Sequence, residues 1–226
     1  MEGGYKSYRR FVLSKLAERR KAIILGGMTG SGKTQILRLL KSTGNQVIDL
    51  EGIANHKGSA FGSLGQMVQP TSEHFANLLF NQWQRLDNTI PVWMEDESRN
   101  VGTVFMPDAF YDNMQEYPTI VLRMGIKTRL PRLIKEYSGY PPETLKLIIN
   151  KISRRIGGDN AKEAIAAVDK RDFAKAIEII LRYYDKTYLY GITGKPSKTI
   201  INVETDTDNI DTNMIKVIEA ARNITW

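Results

Sequence analysis

The sequence predicts an α/β protein in which a parallel sheet carries helices on both faces. A glycine-rich stretch, GGMTGSGKT (residues 26–34), lies between a short apolar run and a helical pattern. Strand-like apolar runs then alternate with helical periodicity along most of the chain, the order that lays crossover helices on a parallel sheet. Two of the runs end in acidic residues, at the carboxyl edge where open parallel sheets collect ligands.

Each element has its own signal. Residues 1–21 read as a lead-in and a basic amphipathic helix, with Phe11, Val12, Leu13 and Leu16 on one side and Arg9, Arg10, Lys15, Arg19 and Arg20 elsewhere. The core is expected over 22–140. KAIIL (21–25) suits a buried strand, and QILRLL (35–40) sets Ile36, Leu37, Leu39 and Leu40 on a helix that faces it. QVIDL (46–50) is a second strand, running out at Asp49 and Glu51. EGIANHKGSAFGSLGQMVQP (51–70) is glycine-rich and aperiodic, and so long a loop inside a compact domain is usually functional. A helix over 72–86 is capped by Thr71 or Ser72 and carries Phe75, Leu78, Leu79 and Trp83 at helical spacing. IPVWME (90–95) is a buried strand ending in Glu95, Asp96 and Glu97, followed by Ser98 and Arg99. TIVLRM (119–124) is another, leading into RLPRLIKEY (129–137). Helical patterns at 142–156, 160–169 and 171–186 form an insert or cap over 141–190. The core closes over 191–226 with a strand at KTIINV (198–203) and a helix near 208–222.

The spacing Gly27-x4-Gly32-Lys33-Thr34 is that of a phosphate-binding loop. Gly27, Gly30 and Gly32 let the backbone turn its N–H groups inward, Met28, Thr29 and Ser31 complete the cradle, and the helix start adds partial positive charge. Lys33 reaches the terminal phosphate, and Thr34 Oγ1 sits on a magnesium ion. With a strand before it and a helix after it, the fold expected is P-loop NTPase-like, of nucleotide-kinase build.

Three further groups fall at predicted strand ends. Asp49, Glu51, His56, Lys57, Ser59 and Arg99 join Lys33 as candidate catalytic residues, and Glu95 and Asp96 join Thr34 as candidate metal ligands. An acid ending an apolar strand is the second element of phosphate-loop sites, where it holds magnesium directly or through water. Arg99, Arg123 and Arg129 are candidates to neutralise a leaving pyrophosphate, as Lys33 does. His56 lies beside Lys57, placed to donate to a phosphate or to a base or to serve as a simple loop histidine, whereas His74 falls on the polar side of its helix.

The 226 residues fit one medium α/β domain with room for a subdomain. The chain has no cysteine, which excludes disulfide scaffolding, thiolate metal sites and a thiol nucleophile from this polypeptide. No apolar run is long enough to span a bilayer, so a soluble, cytoplasmic protein with no membrane partner is expected. The net charge of +7 is unevenly placed: +8 over residues 1–46, −7 over 47–120, +7 over 121–182 and −1 over 183–226. Two basic blocks around an acidic middle suit a polyanion beside a site rich in carboxylates.

DLEGIANHKGSAFG (49–62) and WMEDESRNVG (93–102), taken with GMTGSGKT (27–34), resemble the C-terminal phosphate-loop domain of the tRNA 2-selenouridine synthase family. The resemblance runs from EGGYK (2–6) to RLIKEY (132–137) and more loosely to the end. It implies a tRNA-modifying transferase that uses geranyl diphosphate and selenophosphate as co-substrates, with Mg2+. Sulfur of 2-thiouridine at the wobble position is alkylated with a geranyl group, which selenium then displaces. On that reading the loop 27–34 holds geranyl diphosphate, with Phe61, Met67, Trp93 and Phe105 as candidate walls for its apolar tail. Arg9, Arg10, Lys15, Arg19, Arg20, Lys151, Arg154, Arg155, Lys170 and Arg171 are the expected contacts to tRNA phosphates. The family also carries an N-terminal rhodanese-like domain with a reactive cysteine. A cysteine-free chain starting at EGGYK is therefore expected to be a shortened form or one half of a divided enzyme, with that domain as partner and a selenophosphate-producing enzyme as a second. The alternative is a small-molecule or nucleotide kinase of the same fold, with Asp49 as base and the arginines of 123–135 on ATP phosphates. A third reading is an RNA-binding partner without catalysis.

Overall fold

The computed structural model describes residues 3–226. Its centre is a five-stranded parallel sheet made of β1 (Ala22–Gly27), β2 (Gln46–Ile48), β3 (Val92–Glu95), β6 (Thr119–Met124) and β7 (Ile200–Thr205). Their spatial order is β2-β3-β1-β6-β7, so β1 lies at the middle with its carboxyl end between the ends of β3 and β6. A two-stranded antiparallel pair, β4 (Asn100–Val101) and β5 (Val104–Phe105), stands apart.

Alternation along the strands builds two cores. Ala22, Ile24, Ile48, Val92 and Met94 face α1 (Gly4–Leu16), α3 (Leu50–Ala54), α4 (Ser72–Trp83) and α5 (Asp108–Glu116). Ile23, Leu25, Val47, Trp93, Ile120 and Leu122 face α2 (Lys33–Ser42) and α11 (Ile210–Ala221). Helices on both faces are what near-continuous apolar strands require. This is the P-loop NTPase-like fold that the sequence predicts.

The N-terminal helix departs from expectation. Residues 1 and 2 of the predicted lead-in lie outside the described residues, and α1 is part of the core, with Val12 and Leu16 fully buried. Phe11 and Leu13 stay partly exposed, Phe11 meeting Phe80 edge-on at 5.6 Å. The second strand is shorter than predicted because Asp49 caps α3, its carboxylate accepting the Gly52 N–H at 2.6 Å. The long loop therefore opens with a helical turn.

The insert consists of α7 (Pro142–Lys151), α8 (Ser153–Ile156), α9 (Gly158–Asp169) and α10 (Phe173–Thr193). These pack a third core of their own, into which Phe61 and Leu64 of the glycine-rich loop also enter. The helix α6 (Ile126–Tyr137) follows β6 directly and joins this insert to the sheet.

Candidate active site

The phosphate loop connects β1 to α2 at the middle of the carboxyl edge. Gly30 and Gly32 adopt left-handed backbone (φ +82° and +86°) that side chains resist, and α2 begins at Lys33 with its first N–H groups free of intrahelical partners. Lys33 Nζ folds back on the loop, donating to the Gly27 carbonyl at 2.6 Å. Thr34 Oγ1 donates to Glu51 Oε2 at 2.9 Å. Around them runs a cleft walled by Arg38, Asp49, Glu51, Lys57, Ser59, Asp96, Glu97, Arg132, Lys135, Arg155, Tyr184 and Tyr188. Lysine, arginine and acid side chains thus surround the phosphate loop together.

The acids divide into distinct environments. Glu51 and Glu97 meet in front of the loop, where a Cβ on Gly58 would sit 2.6 Å from Glu97 and 3.0 Å from Glu51. Burial first, and then the Glu51 charge, push the Glu97 carboxyl well up, with Lys33 pulling the other way. Asp96 is held in a buried pair with Lys195 at 2.6 Å and accepts from Tyr188 Oη at 3.1 Å. Tyr188 in turn receives the Gly27 N–H at 2.7 Å, which ties α10 to the phosphate loop. Glu95 is wholly buried behind the cleft, with one oxygen receiving the Leu50 N–H at 2.9 Å. Burial and the neighbouring Asp49 and Glu51 charges hold its carboxyl well above the ordinary range. Glu95 therefore does not line the cleft, and Asp96 already serves Lys195; Glu51 is the acid that Thr34 meets, with Glu97 next to Glu51. Among the described residues no cluster of three or more His, Cys, Asp or Glu side chains forms a metal cage, so a magnesium ion here would rely on Thr34, phosphate oxygens and water, as Mg2+ commonly does.

His56 and Arg99 do not line the cleft. His56 is buried between Gly62 and Gly102, with its Nδ1 lacking a partner, and burial lowers its pKa. Arg99 pairs with Asp108 at 2.5 Å and Asp112 at 3.0 Å and lies over the Tyr111 ring. Arg123 donates to Asn202 at 2.7 Å on the neighbouring strand. Arg129 is fully buried, binding Asp185 through both terminal nitrogens and donating to the carbonyls of Thr29 and Met124. Lys57 and Ser59 do line the cleft, Lys57 paired with Glu136 at 2.6 Å.

Of the basic residues expected on RNA, Arg155 alone lines the cleft, while Lys151, Arg154, Lys170 and Arg171 are exposed elsewhere on the insert. Several on the first helical segment are engaged within the fold: Lys15 with Glu18, Arg19 with Glu116, and Arg20 over Trp83 at 4.9 Å. Arg9 is partly buried and Arg10 exposed.

Beside the cleft lies a narrow apolar pocket. Phe61, Leu133, Leu145, Ile149, Ile177 and Ile180 supply most of its wall, and Thr29, Ser59, Leu133, Tyr137 and Tyr184 line both it and the cleft. Phe61 is the one expected wall that the structure puts there. Trp93 belongs to the sheet core, and Met67 and Phe105 point to solvent at 77% and 57% exposure. Sequence reasoning missed Tyr137, Tyr184, Tyr188 and Lys195, and reached Arg132 only as one of the arginines of 123–135 in the kinase alternative; the repeated tyrosines of RYYDKTYLYG (182–191) were the available signal.

The chain is similar to known proteins along most of its length. The tRNA 2-selenouridine synthase of Shewanella piezotolerans is 34% identical over 237 residues, covering 88% of this chain and 63% of that protein. That of a Sulfurovum species is 32% identical over 190 residues, covering 82% and 51%. The chain thus spans between about half and under two thirds of these curated relatives. Among solved structures, a gluconokinase from Sinorhizobium meliloti aligns over 90% of this chain and 94% of its own, at 12% identity and a TM-score of 0.42. A family model described as the tRNA 2-selenouridine synthase AAA domain matches residues 20–141, more than half the chain, and by that match the chain belongs to the tRNA 2-selenouridine synthase family.

Proposed function

We propose that this chain supplies the phosphate-loop part of an enzyme that modifies 2-thiouridine in tRNA, binding geranyl diphosphate for S-geranylation ahead of selenation with selenophosphate. The observation that carries the reading is the join between a phosphate loop and an apolar pocket that shares five wall residues with the cleft, the pairing of an apolar wall with a few placed polar groups that marks small-molecule sites. A diphosphate with a hydrocarbon tail fits that pairing: its charged end meets the loop and its tail crosses Thr29 and Ser59 toward Phe61 and Ile180.

In this reading sulfur of the thiouracil attacks the allylic carbon. The S–C bond forms as the C–O bond to the diphosphate breaks, and pyrophosphate leaves with the electron pair. The residues' task is to receive that charge. The loop N–H groups and Lys33, released from the Gly27 carbonyl, are preorganised donors, and such donors in a closed site lower a charge-developing barrier strongly. Thr34, backed by Glu51 and Glu97, would hold magnesium, which would neutralise phosphate oxygens. No strong base is needed. Lys57, Lys135 and Arg155 on the rim supply positive charge for the tRNA backbone, and the wobble base, unpaired in its loop, can be splayed toward Tyr137 and Tyr184. Selenium delivery falls to a cysteine-bearing rhodanese-like partner, since this chain holds no cysteine.

The test is mass spectrometry of nucleosides from 2-thiouridine-containing tRNA incubated with the chain, magnesium and geranyl diphosphate. A mass gain of one geranyl group, lost in Lys33→Ala, is expected. ATP turnover with a small acceptor, and no change in the tRNA, would overturn the reading in favour of a kinase.

A further inference from the structure

The arginines that the sequence offered for a departing pyrophosphate are engaged elsewhere: Arg99 with two aspartates, Arg123 with Asn202 and Arg129 with Asp185. The cleft contains another. Arg132 lies three residues beyond Arg129 on α6, which starts at the carboxyl edge of the sheet, and its guanidinium rests against the loop. A Cβ on Gly32 would collide with its Nη1 and come within 3.1 Å of its Cζ. Gly32 directly precedes Lys33, so the two cations flank the same backbone turn.

The bonding of the two arginines on α6 differs sharply. Arg129 has a carboxylate on both terminal nitrogens. Arg132 Nη2 donates to the Asp208 carbonyl at 2.7 Å, while the Asp208 carboxylate stands off at 3.9 Å. Its Nη1 is closed off from solvent and has no acceptor among the described residues. A buried charged donor without an acceptor is costly, and an anionic oxygen is the partner that relieves it best. The guanidinium lines the cleft with Lys33 and Thr34, which is where such an oxygen would lie.

We propose that Arg132 is an anion-binding residue of the phosphate site, with Nη1 donating to an oxygen of the diphosphate held over Gly32 and Lys33. Nη2 keeps its bond to Asp208, and the guanidinium turns about that bond to uncover Nη1, which lies against Gly32 in the free chain. The assignment rests on the reading of loop 27–34 as a phosphate site.

Calorimetric titration with inorganic pyrophosphate in magnesium buffer tests it on the whole chain. Arg132→Gln should weaken binding about 10- to 100-fold, the loss expected for a charge-assisted hydrogen bond. Arg132→Lys, which keeps the charge but not the planar fork, should lose less and serves as the test if the glutamine variant does not fold. Melting without ligand should move little, while the stabilisation by pyrophosphate should shrink. Wild-type affinity in Arg132→Gln overturns the assignment and leaves the arginine as a clamp on the Asp208 loop. Lys33→Ala, titrated in parallel, judges the phosphate site itself: normal affinity there would remove that reading, whereas a loss there with normal affinity in Arg132→Gln would sink this proposal alone.

Discussion

The phosphate cleft and the apolar pocket share five wall residues, yet they are built in opposite ways. The centre of the cleft comes from short segments at strand ends, the loop 27–34 with Asp49, Glu51, Asp96 and Glu97, to which α6 and the insert add Arg132, Lys135, Arg155 and Tyr188. The pocket comes from the far side of the insert, where α7, α9 and α10 meet Phe61, more than eighty residues earlier than Leu145. Phosphate binding is therefore local and general, since backbone N–H groups at a helix start suit any phosphate. On the proposed reading, the group that the phosphate carries is recognised by long-range packing.

The strongest way to break both halves at once is at their shared wall. Arg129 joins α6, the Thr29 carbonyl and Asp185 of α10, so Asp185→Ala leaves a buried guanidinium uncompensated. It should cost about 3–5 kcal/mol in denaturant unfolding and weaken pyrophosphate and geranyl diphosphate alike. A change below about 1 kcal/mol would mean that the two regions stand independently. Next, Lys33→Ala should lower pyrophosphate affinity about 100-fold with little effect on melting, because the Lys33 side chain reaches only the Gly27 carbonyl and lies in the cleft.

Filling the pocket sharpens the comparison from the other side. Ala176→Phe projects a ring among Ile177, Ile180 and Phe61, and should lower geranyl diphosphate affinity about tenfold or more while pyrophosphate binds as before; the overpacking should cost about 1–3 kcal/mol. Equal losses for both ligands would place the tail elsewhere. The smallest expected effect concerns His56. Its folded pKa is depressed by burial, so the unfolded chain binds the extra proton first, and stability present above pH 6.5 is lost as pH falls below it. His56→Gln should flatten that slope between pH 7.5 and 5.5 in thermal melts; an unchanged slope would mean that the imidazole is solvated.

Much of this was legible beforehand because it is written in short-range pattern. TIVLRM became β6 with the boundaries read from it, and GGMTGSGKT became the loop between β1 and α2. The acids were harder. Asp49, Glu51, Glu95, Asp96 and Glu97 look alike as strand-end carboxylates, but Glu95 is the last residue of β3 and is buried in the core, whereas Glu97 lies beyond the strand and faces Glu51. The arginines misled for the same reason: a chain of letters does not show that Arg129 meets Asp185 whereas Arg132 meets no close carboxylate. His56 and Arg99 sit within conspicuous motifs yet serve packing and surface pairing.

By itself the sequence determined the phosphate loop, the parallel sheet that carries it and the absence of any thiol, since backbone geometry, strand periodicity and composition act over a handful of residues. Tertiary structure alone decided which of the many charged groups remain free to meet a ligand, and where the apolar pocket opens. Those outcomes depend on partners dozens of residues apart, and a buried charge takes its role from whichever group the fold sets beside it.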